Sequence, residues 1–97
     1  DVVARYGGEE FAIILINTTA VMSNVVAKRI VSNIADYQFS MDSVDTRITI
    51  SGGMSEYPSH SQKMKHLIEL ADQAVYATKQ KGGNGITIHN EVLQNDN

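Results

Sequence analysis

The sequence contains no cysteine, a single proline and no excess of basic residues. Without cysteine, disulfides and thiolate metal sites are excluded; the redox compartment stays open, with the cytoplasm favoured. The formal net charge of -3 argues against nonspecific binding to nucleic acid or to a membrane surface, which usually requires a basic patch. The longest strongly apolar run, Phe11 to Ile16, is far shorter than the ~20 residues that span a bilayer. We therefore expect no membrane contact from this segment.

The length of 97 residues allows one small domain. With 42% apolar and 20% charged residues, the composition is that of an ordinary globular protein rather than a disordered one. Because the chain begins without methionine, in the middle of a predicted strand, we expect it to be a piece of a longer protein. We expect residues 1–90 to fold and the polar residues 91–97 to form a disordered tail.

Hydrophobic patterning predicts the element order β-β-α-β-α-β. The predicted strands span about 1–6, 10–16, 46–54 and 85–89, and the predicted helices span about 19–36 and 62–81. Asn17 and Thr18 are candidate N-caps for the first helix, and Gly82-Gly83 would end the second. This order favours an α+β domain with two helices on one face of a mostly antiparallel sheet. The strand at 10–16 is apolar on both faces and would need neighbours on both sides.

Two adjacent carboxylates, Glu9 and Glu10, follow Gly7-Gly8 at the tip of the predicted hairpin. Glycine lacks a Cβ, so a phosphate group can approach the backbone closely there. A carboxylate beside a phosphate suits Mg²⁺, although neighbouring strand residues point to opposite faces and cannot both meet one ion without a local distortion. The alternative is a tight turn with solvated glutamates, which turn chemistry alone favours.

Four segments resemble the motifs of one known family. Arg5 to Phe11 reads R-Y-G-G-E-E-F and resembles the R-Y-G-G-(D/E)-E-F signature of GGDEF domains. Residues 48–55, I-T-I-S-G-G-M-S, resemble the family's I-T-x-S-x-G-x-(A/S) strand. Residues 71–79, A-D-Q-A-V-Y-A-T-K, resemble its A-D-x-A-(L/M)-Y-x-A-K helix, and residues 79–84, K-Q-K-G-G-N, resemble its K-x-x-G-R-N exit. The chain is similar to the C-terminal part of a GGDEF domain, over residues 1–90.

The resemblance implies a palm-like, nucleotidyl-cyclase (ferredoxin-like) fold, which would be incomplete here at its N-terminus. It also implies a diguanylate cyclase, in which two domains form a homodimer, each binds one GTP, and two GTP become cyclic di-GMP and two pyrophosphates. Mg²⁺, or alternatively Mn²⁺, would bridge the reacting oxygens. Members of the family usually carry an attached N-terminal sensory or receiver domain.

The resemblance also assigns roles to particular residues. Gly7 and Gly8 would approach the nucleotide, Glu9 would bind Mg²⁺, and Glu10 would act near the metal and the reacting hydroxyl. Lys79 would contact the GTP phosphates; the alternative is a solvated lysine in the last turn, facing the helix dipole.

Many family members have a product-inhibition site with an R-x-x-D motif. Asp1 stands six positions before Gly7, at the spacing of the motif's aspartate. Arg29, on the first helix, is a weaker candidate for a second contact to bound product, and a solvated helix-face arginine is an equally good interpretation.

Two departures from the family pattern matter. The family's N-terminal half supplies a second metal-binding aspartate and the guanine-binding residues, so we expect the present segment alone to be inactive. In addition, Gly83 stands where the exit motif has arginine, which removes a bidentate phosphate donor. The intact signature supports an active cyclase, whereas Gly83 supports the alternative of a degenerate domain that senses cyclic di-GMP or GTP.

Other residues carry structural expectations. Asp72 lies in an apolar helical stripe and is expected to make a hydrogen bond, while Tyr76 is expected to pack. Gly52-Gly53 indicates a bulge or a close backbone approach. The three histidines are not clustered in the sequence, so no metal role is expected of them.

Overall fold

The structure is a computed structural model that describes residues 2–5, 11–15 and 18–89. Its elements are, in chain order, β1 (Val2–Arg5), β2 (Phe11–Ile14), α1 (Ala20–Asp36), β3 (Phe39–Met41), β4 (Val44–Thr46), β5 (Ser51–Met54), α2 (Met64–Gln80) and β6 (Gly85–Ile88). Both predicted helices are present and their ends agree to within two residues. The predicted α+β class is confirmed.

The strands form three pairs. β1 pairs with β2 and β3 pairs with β4, both antiparallel, whereas β5 and β6 are parallel, with Ser51 opposite Gly85 and Met54 opposite Ile88. Parallel strands need a long crossover, and α2 supplies it. The pairing among the described residues is therefore mostly antiparallel, as predicted.

One hairpin was not expected. The sequence predicted no helix or strand between residues 36 and 46, yet β3 and β4 pair there around a two-residue turn. Asp42 and Ser43 both have positive φ, at 52° and 67°, as a type I′ hairpin turn requires. Ser40 Oγ donates to Asp45 Oδ1 across the pair at 2.7 Å. The prediction of one strand over 46–54 was wrong, because Thr46 belongs to β4 and residues 47–50 are not in a strand.

The N-cap of helix α1 is one residue later in the sequence than the nearer predicted candidate, Thr18. Thr19 is the N-cap, and its Oγ1 accepts the backbone N–H of Met22 at 3.2 Å. Thr18 was therefore wrongly chosen, and Asn17 lies outside the described residues. A side-chain cap of this kind satisfies one of the four N–H groups that a helix start leaves unpaired, and contributes about 1 kcal/mol.

The core lies where α2 packs on β5 and β6. Val31 of α1 and Leu70 and Ala74 of α2 are buried, and both helices contact these two strands. Gly53 of β5 explains how close the packing is: a Cβ added there would lie 2.8 Å from Ala74 Cβ. The close backbone approach predicted for the Gly52-Gly53 pair is confirmed.

Strand β2 presents apolar side chains on both of its faces. Phe11 and Ile13 on one face and Ile14 on the other are exposed. Among the described residues β2 pairs with β1 alone, so the expectation of a second neighbour stays a prediction. Phe11 is 68% exposed, whereas Ile13 and Ile14 are about half exposed. Neither of the two described helices is long and apolar enough to cross a membrane.

Candidate functional site

The predicted catalytic turn connects β1 and β2. Arg5, the last residue of β1, is the register partner of Phe11, the first residue of β2, so the predicted hairpin is confirmed. Asp1 and the turn residues Gly7, Gly8, Glu9 and Glu10 lie outside the described residues, and their roles stay predictions. The structure describes two residues of the predicted set, Lys79 and Arg29.

Lys79 lies in the last turn of α2, where it is exposed. A cation at this end interacts favourably with the partial negative charge of the unpaired carbonyl groups. The side chain is also free to extend to an anionic ligand, because burial does not confine it. Both interpretations of Lys79 fit its position, and the phosphate contact remains a prediction.

The end of α2 is a Schellman motif. The backbone N–H of Gly83 donates to Thr78 O at 3.0 Å, and that of Gly82 donates to Lys79 O at 3.1 Å. Gly82 and Gly83 have φ of 109° and 73°, in the region that favours glycine. The predicted glycine C-cap is confirmed.

The backbone conformation of the turn that follows α2 favours glycine at position 83. A Cβ at Gly83 would lie 3.1 Å from Ser51 Oγ, on a backbone with positive φ. An arginine here, as in the family motif, would therefore meet a conformational cost and a tight contact. The chain lacks this guanidinium, and a side chain at position 83 would require the Ser51 hydroxyl to move by a few tenths of an ångström.

Arg29 is exposed on α1. Its predicted companion at the product-inhibition site, Asp1, lies outside the described residues, so the structure does not test their arrangement. The inhibition site stays a prediction.

Two expectations about α2 were wrong. Asp72 is exposed rather than enclosed in the core, and Tyr76 is 65% exposed rather than packed. The buried residues of the helix are Leu70, Ala74 and Thr78, at intervals of four. Asp72 and Tyr76 lie midway between them in sequence and therefore about 200° around the helix axis.

A contact between His60 and His89 was not visible in the sequence. Their rings meet edge to face at 5.1 Å, and His60 Nδ1 accepts the backbone N–H of Glu56 at 2.8 Å. His89 is 7% exposed, and its Nδ1 is buried without a hydrogen-bond partner. Burial, and then the charges of His60 and His66, lower the pKa of His89. Among the described residues no three His, Asp or Glu side chains are arranged to hold a metal ion.

The histidine pair predicts a stability that depends on pH. The folded pKa of His89 is below its ordinary value of 6.5, so the unfolded state binds the proton more readily. The contribution of His89 to stability is complete above about pH 6.5 and is lost as the pH falls below that value. We expect urea midpoints of the full-length protein to fall between pH 7 and pH 5, and to fall less in His89→Gln.

The matched control for this prediction is His66→Gln, which removes an exposed histidine. It should retain most of the pH dependence of the wild-type protein, because its imidazole is the smallest of the three causes that act on His89. Equal slopes of stability against pH for the wild type and His89→Gln would contradict the assignment.

Together these elements define a palm-like α+β domain with a β-hairpin at its start and a glycine-terminated helix near its end. The model of the family described as "Diguanylate cyclase, GGDEF domain" matches residues 1–85. The chain therefore belongs to the GGDEF family, and the resemblance found in the sequence is confirmed.

Named relatives agree with this assignment. The chain is 40% identical over 93 residues to Diguanylate cyclase A of Treponema denticola, which covers 96% of this chain and 25% of that protein. The GGDEF domain of DgcB from Caulobacter crescentus, solved in complex with c-di-GMP, is similar at a TM-score of 0.78 and 33% identity over 90% of this chain and 51% of that one. A DgcB chain with a coiled coil and the GGDEF domain matches at a TM-score of 0.76 and 30% identity, over 89% of this chain and 46% of that one. The chain thus spans a quarter of the Treponema relative and about half of the solved chains.

Proposed function

We propose that the full-length protein is a diguanylate cyclase that condenses two GTP into cyclic di-GMP and releases two pyrophosphates. The observation that carries this proposal is the complete signature from Arg5 to Phe11, set between two paired strands of a GGDEF-family domain. A relative named as a diguanylate cyclase, 40% identical to this chain, supports it.

Glu9 would hold a divalent cation, and Glu10 would act close to that ion and to the reacting hydroxyl. Arg5 is the register partner of Phe11, and both glutamates lie among the five residues that separate these two partners in the sequence. Carboxylate oxygens beside phosphate oxygens fit Mg²⁺, with Mn²⁺ as the alternative. When bound, the ion would neutralise charge that develops on the transferred phosphoryl group.

The other assigned residues bind and orient the nucleotide. Gly7 and Gly8 would let the phosphates approach the backbone, and Lys79 would hold them from the end of α2. Each domain would present the 3′-hydroxyl of one GTP to the α-phosphate of the other, which requires a homodimer. Such a reaction depends mainly on positioning and charge neutralisation. We place the protein in the cytoplasm and propose that a sensory or receiver domain precedes this domain in the full-length chain. The coiled coil of the solved DgcB chain is consistent with a regulatory segment upstream.

The second candidate is a domain that binds cyclic di-GMP or GTP without catalysis. Gly83 favours it, because this residue lacks the guanidinium that the motif's arginine would offer to the phosphates. The complex of DgcB with c-di-GMP shows that a related domain binds the product. In this chain Asp1 and Arg29 are the proposed contacts to bound cyclic di-GMP.

One experiment separates the two candidates. The full-length protein is incubated with GTP and MgCl₂, and the products are separated by anion-exchange chromatography, with EDTA in a parallel sample. We expect cyclic di-GMP and pyrophosphate in the magnesium sample alone. If the folded dimer forms no cyclic di-GMP but binds it in calorimetry, the cyclase proposal is rejected and the sensing proposal is supported.

A further inference from the structure

We propose that Thr78 is a positioning residue that holds the last turn of α2 on the sheet and thereby fixes where Lys79 meets the nucleotide. The inference rests on the proposed function, because it assumes that Lys79 contacts the GTP phosphates. Thr78 precedes Lys79 directly and belongs to the buried face of the helix.

The Thr78 side chain is surrounded by polar partners in a buried place. The residue is 3% exposed, and its Oγ1 lies 2.7 Å from Gly52 O of β5 and 2.7 Å from Thr87 Oγ1 of β6. Thr87 is itself 1% exposed. A third acceptor, Ala74 O within the helix, is more distant at 3.1 Å. The shorter contacts tie the helix to both strands beneath it.

The number of protons limits how the two hydroxyl groups can pair. A hydroxyl carries one proton and two acceptor lone pairs, so Thr78 donates one hydrogen bond at a time. When Thr78 donates to Gly52 O, the contact with Thr87 is satisfied only if Thr87 donates to Thr78 Oγ1. In this arrangement one oxygen joins β5, β6 and α2. A buried donor or acceptor left unpaired would cost stability, so the arrangement resists displacement of the helix.

The main chain of Thr78 holds the exit from the helix as well. Its carbonyl oxygen accepts the N–H of Gly83 at 3.0 Å and of Lys81 at 3.1 Å. Thr78 is thus fixed through its side chain to the sheet and through its carbonyl to the exit turn. The next residue, Lys79, has an exposed side chain. Because Thr78 is fixed, it also fixes the backbone position of Lys79.

Two positions at which this chain differs from the family motifs suggest why Lys79 would need to be positioned. The helix motif that residues 71–79 resemble has alanine where this chain has Thr78, and the exit motif has arginine where this chain has Gly83. An alanine packs but cannot make the three contacts of the hydroxyl. Without the guanidinium, phosphate binding depends more heavily on Lys79, and a helix end fixed by hydrogen bonds reduces the loss of freedom when Lys79 binds.

A double-mutant cycle in the full-length protein tests this proposal. Thr78→Ser and Thr78→Ala are a matched pair that differ by the hydroxyl alone, and each is made with and without Lys79→Met. The measured quantity is the dissociation constant for guanosine 5′-(α,β-methylene)triphosphate with MgCl₂. The methylene bridge prevents turnover, so binding is read without catalysis.

We expect Thr78→Ala to weaken analogue binding about fivefold relative to Thr78→Ser, as the loss of one hydrogen bond would. In the Lys79→Met background this difference should disappear, because the hydroxyl acts through Lys79. A purely structural role predicts the same loss in both backgrounds, and that result would overturn the proposal. Thr87→Val, which removes the same contact from β6, should reproduce the coupling if Thr78→Ala does not fold.

The outcomes keep the two proposals apart. If the wild type forms cyclic di-GMP and the cycle is additive, the positioning role of Thr78 falls and the cyclase function stands. If the cycle shows coupling and no cyclic di-GMP forms, the positioning role stands and the cyclase function falls.

Discussion

Gly53→Ala is expected to destabilise the domain by about 3 kcal/mol or more, because strand β5 has no room for a Cβ at this position. The added atom would lie 2.5 Å from Val75 N and 2.8 Å from Ala74 Cβ, and it would also overlap Ala71 O. Two of these three neighbours are backbone atoms of α2, which no change of rotamer can move. Relief therefore requires a shift of the whole helix away from β5.

Such a shift would break more than one contact. Thr78 Oγ1 would lose Gly52 O, and Ser55 Oγ, which donates to Leu67 O at 2.7 Å, would lose the other hydrogen bond that ties this region to α2. Urea denaturation of the full-length protein, followed by circular dichroism, measures the loss. We expect a lower midpoint or no cooperative transition for this domain.

Gly85→Ala is the matched control for this prediction. Gly85 lies on the neighbouring strand β6, opposite Ser51, and the nearest atoms to a Cβ there are 3.8 Å away, an ordinary contact distance. Its stability should stay within about 1 kcal/mol of the wild type. If Gly53→Ala were as stable as Gly85→Ala, the close packing of α2 on β5 would be wrong.

The sequence predicted the helices well because their periodicity is strong and their ends carry chemical signals. The glycine pair at 82–83 ended α2 at the predicted place, since both residues need positive φ. The hairpin of β3 and β4 was missed because Asp42-Ser43 is a weaker turn signal than Asn-Gly or Asp-Gly. The sequence thus locates a helix or strand best where its end residues allow few other backbone conformations.

Side-chain environments were less predictable than elements. A hydrogen bond was expected of Asp72 and packing of Tyr76, because the apolar stripe was taken to be wider than the face that α2 buries. The contact of His60 with His89 joins residues far apart in the sequence, and no periodic pattern encodes it. No expectation was attached to Thr78 from the sequence, and only its distances to Gly52 and Thr87 reveal its buried hydroxyl.

Glu10→Gln is expected to reduce the formation of cyclic di-GMP by the full-length protein by about a thousandfold or more. The substitution keeps the size of the side chain and removes its charge. A carboxylate beside the metal and the reacting hydroxyl is worth several kcal/mol in a phosphoryl transfer, and each 1.36 kcal/mol corresponds to about tenfold in rate. Initial rates of pyrophosphate release at saturating GTP and Mg²⁺ give the measurement.

Two further variants sharpen this result. Glu69→Gln removes an exposed carboxylate of α2 and should leave the rate unchanged, which controls for net charge and for folding. Glu9→Asp should retain a rate within about tenfold of the wild type, because the signature accepts either acid at this position and Mg²⁺ binds both carboxylates. Glu10→Asp should lose about 100-fold in rate, because its shorter side chain would withdraw the carboxylate from the reacting hydroxyl by about 1 Å. Full activity of Glu10→Gln would contradict a catalytic role for Glu10. Equal rates for Glu9→Asp and Glu10→Asp would contradict the assignment of different roles to the two glutamates.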